Sequence, residues 1–343
     1  MSAPAPTRRL GRSSTPVRVA ALALALLLGL AILASLLVGA RLISIDELLA
    51  FTRGAAGADV VALLVDFRVP RTALAIAVGA SLAVAGTVMQ AFTRNPLADP
   101  GILGVNAGAS LAVVLAVWLL GVSATSDLLW AALAGAGIAT LAVVALGSLG
   151  RGPSTPIRMT LAGIALAAVL GGVTASIRLL HPETFDRFRV WAAGSLTGRS
   201  LADLGAVLPA MIVGLVLALA IARSLNAVSM GEEVATSLGT RVRATRLLAL
   251  ACITLLAGAA TAVAGPIAFV GLMVPHLVRT FVGPDNTVIV PLGILAGAVL
   301  LLASDIAARL LLFGRDLPVG VVTAFVGAPL LIILVRRARV SEL

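Results

Sequence analysis

Residues 247–281 read LLALACITLLAGAATAVAGPIAFVGLMVPHLVRTF, an almost continuously apolar run of 35 residues. One helix crosses the roughly 30 Å hydrocarbon core of a bilayer with about 20 apolar residues, so this run is too long for a single crossing. Gly265 and Pro266 lie inside it, and a proline lacks an N–H group and clashes with the preceding helical turn. The stretch therefore predicts two membrane spans, Leu247–Ala264 and a shorter one over Ile267–Phe281.

Eight further apolar runs occur outside this pair and give ten predicted spans, with nine as the main alternative. They are Val19–Ala40, Thr72–Gln90, Gly104–Leu120, Leu128–Leu149, Ile157–Ile177, Leu201–Ala222, Val288–Leu310 and Val319–Val335. The composition agrees, since 60% of residues are hydrophobic and 12% are charged, against about 25% charged in a typical soluble domain. We predict an all-α membrane protein and exclude a soluble enzyme, a disordered chain and a secreted disulfide scaffold.

The predicted domain organisation is one transmembrane domain of ten helices over residues 18–337. Residues 1–17 and 338–343 are predicted to be cytoplasmic tails, the first of them disordered. The run Val19–Ala40 could be a signal peptide, but it is longer than the usual apolar region of about 7–15 residues, which favours an uncleaved span. Residues 83–86 (AVAG) recur at 262–265. Two pseudo-repeated halves would explain this echo, as would chance in a chain rich in Ala and Gly.

The distribution of arginines predicts the orientation, because cytoplasmic loops of membrane proteins carry the excess of positive charge. With ten spans both termini lie on one side. If that side is the cytoplasm, it holds 15 of the 25 Arg and five acidic residues, and the other side holds ten Arg and ten acidic residues. The whole net charge of +10 then lies inside. The charge therefore indicates sidedness in a membrane, and no nucleic-acid partner is predicted.

Missing residue types exclude several chemistries. All basic residues are Arg, so there is no lysine for a phosphate-binding loop, a Schiff base or a Ser–Lys nucleophile pair. Cys252 is the single cysteine, and His181 and His276 are the two histidines, which argues against a metal site. We predict no catalytic residue, no metal ligand and no bound cofactor, and the energy for any transport must come from another chain.

A polar turn motif lies between the second and third spans, where residues 94–101 read RNPLADPG. Pro96 and Pro100 disfavour helical dihedral angles at Asn95 and Asp99. The side chains of Asn and Asp accept hydrogen bonds from backbone N–H groups that follow them in turns. The motif therefore predicts a tight, capped cytoplasmic turn.

Taken together, the motifs resemble those of ABC-importer permeases for iron–siderophores, haem and cobalamin, the FecCD-like family. The resemblance covers about residues 17–337. The matching segments, in order, are 68–71 (RVPR), Gly79, Gly86, Gln90, 95–101, 103–105, Trp191, 194–196, 264–276, 305–309, 317–320 and 327–329. Two departures occur: residues 285–287 read DNT where the family usually has Asp-His-Arg, and Leu330 replaces the usual aromatic residue.

Membership of this family would imply that several separate subunits carry out transport together. Such permeases pair with a second permease subunit around one pathway, in the bacterial inner membrane. Two separate ATPase subunits, which use ATP and magnesium, bind on the cytoplasmic side, and a periplasmic or lipoprotein substrate-binding protein docks outside. The implied cargo is a metal chelate, with ferric siderophore favoured and haem and cobalamin as alternatives. Whether the pair is a homodimer or a heterodimer stays open.

Two other classes of function would need residues that this sequence largely lacks. An ion-coupled secondary transporter needs buried carboxylates near the middle of the membrane. Asp305 is the one candidate inside a predicted span, and Arg309 lies four residues after it. An intramembrane enzyme needs a cluster of His, Asp, Ser or Glu at membrane depth, and the predicted spans contain no such cluster.

The segment 229–239 (SMGEEVATSLG) predicts a short helix between the sixth and seventh spans. A glycine lies at either end, two glutamates occupy the first turn where the helix dipole favours anions, and three apolar residues are predicted on one face. The residues concerned are Gly231, Glu232, Glu233, Val234, Ala235, Leu238 and Gly239. An ordinary amphipathic surface helix is one interpretation. The resemblance implies that this segment docks into a groove of the ATPase.

The resemblance also assigns three outer arginines, Arg68, Arg71 and Arg309, to salt bridges with acidic residues of the binding protein. Guanidinium groups bind carboxylates through two parallel hydrogen bonds, which fits this role. The alternative is that they extend to the membrane interface, as arginines at helix ends often do. The four-residue spacing of Asp305 and Arg309 predicts an ion pair within one helix.

The remaining assignments concern a gate and several motif residues. Ser154, Thr155 and Pro156 loosely match the cytoplasmic gate of the family. Gln90 is predicted to hydrogen-bond between helices, with a place in the pathway as the alternative. His276 is predicted to make a structural hydrogen bond rather than to bind iron. Structural roles are expected for the remaining motif residues, which are Asn95, Pro96, Asp99, Pro100, Gly265, Pro266, Pro275, Asp305, Pro318 and Gly320.

Overall fold

The computed structural model describes residues 15–39, 41–122, 124–149, 156–311 and 317–340. Every regular element in these ranges is helical. Of the predicted tail at residues 1–17, residues 1–14 lie outside these ranges. Of the predicted tail at residues 338–343, residues 341–343 lie outside them.

The chain forms fourteen α-helices in the described ranges, with a π-helical turn at Leu63–Arg68 and a 3-10 turn at Pro100–Leu103. The helices are α1 Thr15–Leu37, α2 Ile45–Thr52, α3 Ala58–Ala62, α4 Val69–Thr93, α5 Val105–Leu120, α6 Thr125–Ser148, α7 Pro156–Leu180, α8 Pro182–Ala192, α9 Leu201–Ser229, α10 Glu232–Ser237, α11 Val242–Ala264, α12 Val270–Val282, α13 Asn286–Leu311 and α14 Val319–Val340.

Seven helical stretches in the described residues are long and apolar enough to cross a membrane. They contain α1, α4, α6, α7, α9, α11 and α13, and three shorter apolar helices are α5, α12 and the first part of α14. Each of the ten predicted apolar runs coincides with one of these helices. The number of crossings and the side on which the termini lie stay predictions.

The predicted break at Gly265-Pro266 is confirmed. Helix α11 ends at Ala264 and α12 begins at Val270. Gly265 has φ = 76° and Phe269 has φ = 70°, both in the left-handed region, so the backbone changes direction between the two helices. A side chain at Gly265 would also collide with the backbone carbonyl of Trp191, and glycine meets both requirements at once.

Three short helices, α2, α3 and α8, were not predicted because they are too short or too polar to appear as apolar runs. A local signal for α2 does exist in the sequence. Ser44 accepts a hydrogen bond from the Glu47 N–H (3.1 Å), and the Glu47 carboxylate accepts one from the Ser44 N–H (2.8 Å). This reciprocal pair is a capping box, and its Ser-x-x-Glu spacing marks a helix start.

Helix α4 lies at the centre of the fold and packs against α9, α11, α12 and α13. Small residues allow its backbone to approach its neighbours closely. Gly79 faces Gly297 of α13, and Gly86 faces Gly271 of α12, with each pair in direct backbone contact. The bundle is therefore built around one nearly fully buried helix.

Gly86→Val tests this close approach. The added side chain would overlap the backbone of Gly271, and overpacking of a core costs about 1–3 kcal/mol. We expect a lower midpoint of thermal unfolding for the purified protein in detergent. Gly29→Val in α1 is the matched control, because nothing lies within 4 Å of the position its Cβ would take. Equal midpoints for the two variants would contradict the packing described here.

Candidate functional site

At the end of the bundle where α4 begins, two of the predicted docking arginines converge on the buried carboxylate of Asp305. Arg71 Nε of α4 donates to Asp305 Oδ1 at 2.8 Å. Arg309 Nε donates to Asp305 Oδ2 at 3.0 Å, and both residues lie on α13. The ion pair predicted within one helix is therefore present, and the second carboxylate oxygen binds a different helix.

The same cluster holds the end of α1. Arg309 Nη1 donates to the carbonyls of Ser35 (2.9 Å) and Val38 (3.1 Å), and its Nη2 donates to Ser35 Oγ (2.7 Å). Arg68 Nη1 donates to the carbonyls of Leu36 (3.0 Å) and Val38 (2.6 Å). The last carbonyls of a helix lack partners within it, so these two guanidinium groups cap α1. Ser35 was not predicted, because one hydroxyl in an apolar run is a weak signal.

The three arginines are buried in this arrangement. Arg68 is only 4% exposed, and Arg71 and Arg309 are 9% exposed. Their guanidinium groups donate to Asp305 and to backbone carbonyls near the end of α1. All three still line a cavity of about 220 Å³, together with Arg41 and Arg199. Docking of a binding protein at this cavity stays a prediction.

Three motif segments meet at this end of the bundle. The Ser195 N–H donates to the carbonyl of Ala264 (2.8 Å), and the Gly320 N–H donates to the carbonyl of Gly194 (2.9 Å). Gly194 has φ = 68° and lies against Pro266 and Gly320. These backbone contacts join the end of α8, the break after α11 and the start of α14, which follows Pro318.

At the other end of α4, the predicted turn is confirmed. Arg94 has φ = 54° and ends α4. The Asn95 Oδ1 accepts from the Leu97 N–H (3.0 Å), and the Asp99 Oδ1 accepts from the Gly101 N–H (2.8 Å). Burial raises the pKa of the Asp99 carboxyl, and the hydrogen bond from Gly101 partly opposes this. Pro100 then begins the 3-10 turn that leads into α5.

Gln90 makes hydrogen bonds between helices, as predicted. Its Nε2 donates to the carbonyl of Leu272 (3.2 Å), and its Oε1 accepts from Arg279 Nη1 (3.1 Å), so it joins α4 to α12. The structural hydrogen bond predicted for His276 is not found among the residues that the structure describes. His276, next to the buried Pro275, is half-buried, and Arg279 one turn later is the residue of α12 that reaches Gln90.

The predicted short helix between α9 and α11 is α10. Gly231 (φ = 116°) precedes it and Gly239 (φ = 77°) follows it. Ala235 is fully buried against Ala227 and Val228 at the end of α9. Glu232 forms an ion pair with Arg246 of α11. An apolar contact and an ion pair thus attach this helix to the bundle.

The apolar face predicted for α10 divides in two. Ala235 points inward, whereas Val234 is 40% exposed and Leu238 is 64% exposed. Residues four apart share one face of a helix, and the adjacent position is rotated away by about 100°. Val234 and Leu238 therefore form an exposed apolar pair beside the exposed carboxylate of Glu233.

The remaining predicted sites are partly or wholly outside the described residues. Ser154 and Thr155 of the predicted gate lie outside them, and Pro156 is the first residue of α7. In the part of the chain that the structure describes, no group of three or more His, Cys, Asp or Glu residues could hold a metal ion. Cys252 is buried and its thiol donates to the carbonyl of Gly214 (3.3 Å).

Comparisons with known proteins identify the family of this chain. The chain is 48% identical over 314 residues to the ferric enterobactin transport system permease protein FepD of Escherichia coli (strain K12), covering 92% of this chain and 94% of that protein. It is 40% identical over 276 residues to the cobalamin import system permease protein BtuC of Halobacterium salinarum, covering 80% and 74%. A metal-chelate type ABC transporter solved in an inward-facing conformation superposes with a TM-score of 0.81 at 26% identity, covering 93% of this chain and 99% of that one. Residues 26–337 match the model of the FecCD transport family, to which this chain belongs.

Proposed function

We propose that this chain is the permease subunit of an ABC importer that moves a ferric siderophore into the cytoplasm. The identity of 48% over 314 residues with a ferric enterobactin permease supports a ferric chelate as the cargo. Haem and cobalamin are the alternative cargoes. A separate ATPase subunit, using ATP and magnesium, supplies the energy, and the chain itself binds no cofactor.

The proposed topology has ten crossings, two pseudo-repeated halves and both termini in the cytoplasm of a bacterium, with the chain in the inner membrane. Ten apolar helices at the ten predicted positions support it, as does the excess of arginines on the proposed inner side. A second permease subunit is proposed to complete the pathway.

The single observation that carries the functional proposal is the form of α10. A short helix that exposes Val234 and Leu238, while Ala235 and the Glu232–Arg246 ion pair hold it to the bundle, is suited to transmit force from a docked partner. Exposed apolar side chains on a surface helix favour a protein contact. We propose that this contact is the ATPase subunit.

Reconstitution tests the proposed function. The chain and its ATPase are reconstituted in proteoliposomes that enclose ATP and magnesium, and the binding protein loaded with radioactive ferric siderophore is added outside. We expect uptake that requires ATP and the binding protein, with haem and cobalamin as competitors that report selectivity. An ATPase variant that binds but does not hydrolyse ATP is the control. Uptake driven by an ion gradient without ATP would favour a secondary transporter instead.

The structure offers one observation against that alternative. Asp305 is fully buried in α13, and each of its oxygens binds an arginine. Both carboxylate oxygens are thus engaged by guanidinium groups of the chain itself, which fits a structural counter-charge within the bundle.

We further propose that Arg68, Arg71 and Arg309 act with the cavity they line as the docking position for acidic residues of the binding protein. Arg68→Gln tests this without removing a partner of Asp305, because in the part of the chain that the structure describes Arg68 donates to backbone carbonyls. We expect the Kd for the binding protein to rise about tenfold and its salt dependence to weaken, since one charge-assisted contact is lost.

Arg53→Gln is the matched control for that measurement. Arg53 follows α2 and is exposed, so the substitution removes one positive charge near the same end of the bundle without altering the cavity. Equal affinities for the wild type and both variants would show that the cavity does not receive the binding protein.

A further inference from the structure

The side chain of Asn226, near the end of α9, bonds to the start of α13. Its Nδ2 donates to Asp285 Oδ1 at 2.7 Å, and its Oδ1 accepts from the Asn286 N–H at 2.8 Å. The first N–H groups of a helix have no acceptor within that helix. Asn226 therefore supplies, from another helix, an acceptor that α13 lacks.

Asp285 completes the cap of α13. The same Oδ1 atom that accepts from Asn226 also accepts from the Thr287 N–H (3.0 Å) and the Thr287 hydroxyl (2.7 Å). Asn226 donates one of these two hydrogen bonds through Nδ2 and accepts the other through Oδ1. Helix α9 therefore cannot rotate or slide against the first turn of α13 without breaking at least one of them.

Asn226 also lies at the base of α10. Ala227 and Val228, the next two residues of α9, pack against the buried Ala235 of α10. Ser229 Oγ donates to the carbonyl of Asn226 at 2.8 Å. A displacement of α10 would therefore move the turn of α9 that contains Asn226.

Helix α13 carries this connection to the opposite end of the bundle. Asn286 and Asp305 are separated by 19 positions, which at about 1.5 Å of rise per residue is roughly 28 Å. At its far end, Asp305 binds Arg71 of α4 and Arg309 binds Ser35 of α1. One continuous helix therefore joins the base of α10 to the arginine cluster.

We propose that Asn226 is a positioning residue that transmits displacement of α10 to α13, and through α13 to the arginine cluster. The inference rests on the proposed function, because the displacement is the one imposed by the ATPase subunit. Asn226 contacts neither the ATPase nor the cargo in this scheme. Its role is to make the end of α9 and the start of α13 move as one body.

The experiment uses the full complex in proteoliposomes. Asn226→Ala removes both bonds, and Asn226→Asp places a second carboxylate against Asp285. The double variant Asn226→Asp with Asp285→Asn exchanges the two side chains and restores a donor opposite an acceptor. Thr280→Val is the matched control, because it removes a hydrogen bond internal to α12 at the same end of the bundle.

Two measurements are made on each variant. The first is the stimulation of ATP hydrolysis by the loaded binding protein, relative to basal hydrolysis. The second is the rate of maleimide labelling of a cysteine introduced as Leu311→Cys, with and without ATP, at the far end of α13, where the native side chain is 61% exposed. Native Cys252 is fully buried and contributes little background.

We expect both single variants to assemble and to keep basal hydrolysis. The stimulation of hydrolysis should fall at least about fivefold in each, which is the lower end of typical coupling between two sites. The ATP-dependent change in labelling should disappear in them and return in the double variant. Wild-type coupling in Asn226→Ala would overturn the inference, as would a loss that the exchanged pair does not restore. Absence of stimulation in the wild type would instead contradict the proposed function.

Discussion

Asp305→Ala is expected to be the most destabilising single substitution at the end of the bundle where α4 begins. It leaves the guanidinium groups of Arg71 and Arg309 buried without their carboxylate. Removing one partner of a buried ion pair costs about 3–5 kcal/mol, because the remaining charge stays uncompensated. We expect a marked fall in the midpoint of thermal unfolding in detergent and a reduced yield of folded protein.

Two companion variants make this measurement specific. Asp305→Asn keeps the shape of the side chain and one acceptor oxygen. Its midpoint of thermal unfolding should lie between those of the wild type and Asp305→Ala. Asp66→Ala removes an exposed acid near the same end and should stay within about 0.5 kcal/mol of the wild type, as surface substitutions usually do. An unfolding midpoint for Asp305→Ala equal to that of Asp66→Ala would show that the cluster does not stabilise the fold.

Leu238→Asp is expected to have the largest effect on transport. Leu238 is 64% exposed at the end of α10, so the substitution should leave the fold intact. It places a charge in the proposed apolar contact with the ATPase, where burying an unpaired carboxylate costs several kcal/mol. We expect stimulated ATP hydrolysis and uptake to fall by a factor of ten or more, since about 1.4 kcal/mol corresponds to tenfold.

The control for Leu238→Asp is Leu97→Asp. Leu97 is 42% exposed, but it lies in the turn after α4 and outside α10. Thermal unfolding of both variants separates loss of coupling from loss of folding. If Leu238→Asp supports uptake at the wild-type rate, α10 is not the segment through which the ATPase acts on this chain.

Much of the fold follows from local information in the sequence. The break at Gly265-Pro266 and the turn over residues 94–101 were predicted because Gly, Pro, Asn and Asp act on their immediate neighbours. The bounds of α10 followed from its flanking glycines for the same reason. Helix α8, by contrast, combines short length with low hydropathy, and its start at Pro182 is not distinguishable from a loop by apolar periodicity.

What the sequence did not reveal at the arginine cluster concerns contacts between residues far apart in the chain. Arg71 and Asp305 are separated by 234 positions, and Arg309 and Ser35 by 274. Counting residues along one helix predicts the Asp305–Arg309 pair, but it gives no indication that Arg71 shares that carboxylate. The burial of these arginines, and the bonds of Asn226 to the start of α13, became visible only when distant segments were brought together.

The position of Asp305 in the chain also constrains the order of assembly. Arg68 and Arg71 enter the membrane early in synthesis, whereas the acid that neutralises Arg71 is made 234 residues later. Until α13 has been made, Asp305 is not there to bind Arg71, and α1 lacks the Arg309 cap on its last carbonyls. The contacts that join α1, α4 and α13 at this end can therefore form only late in synthesis.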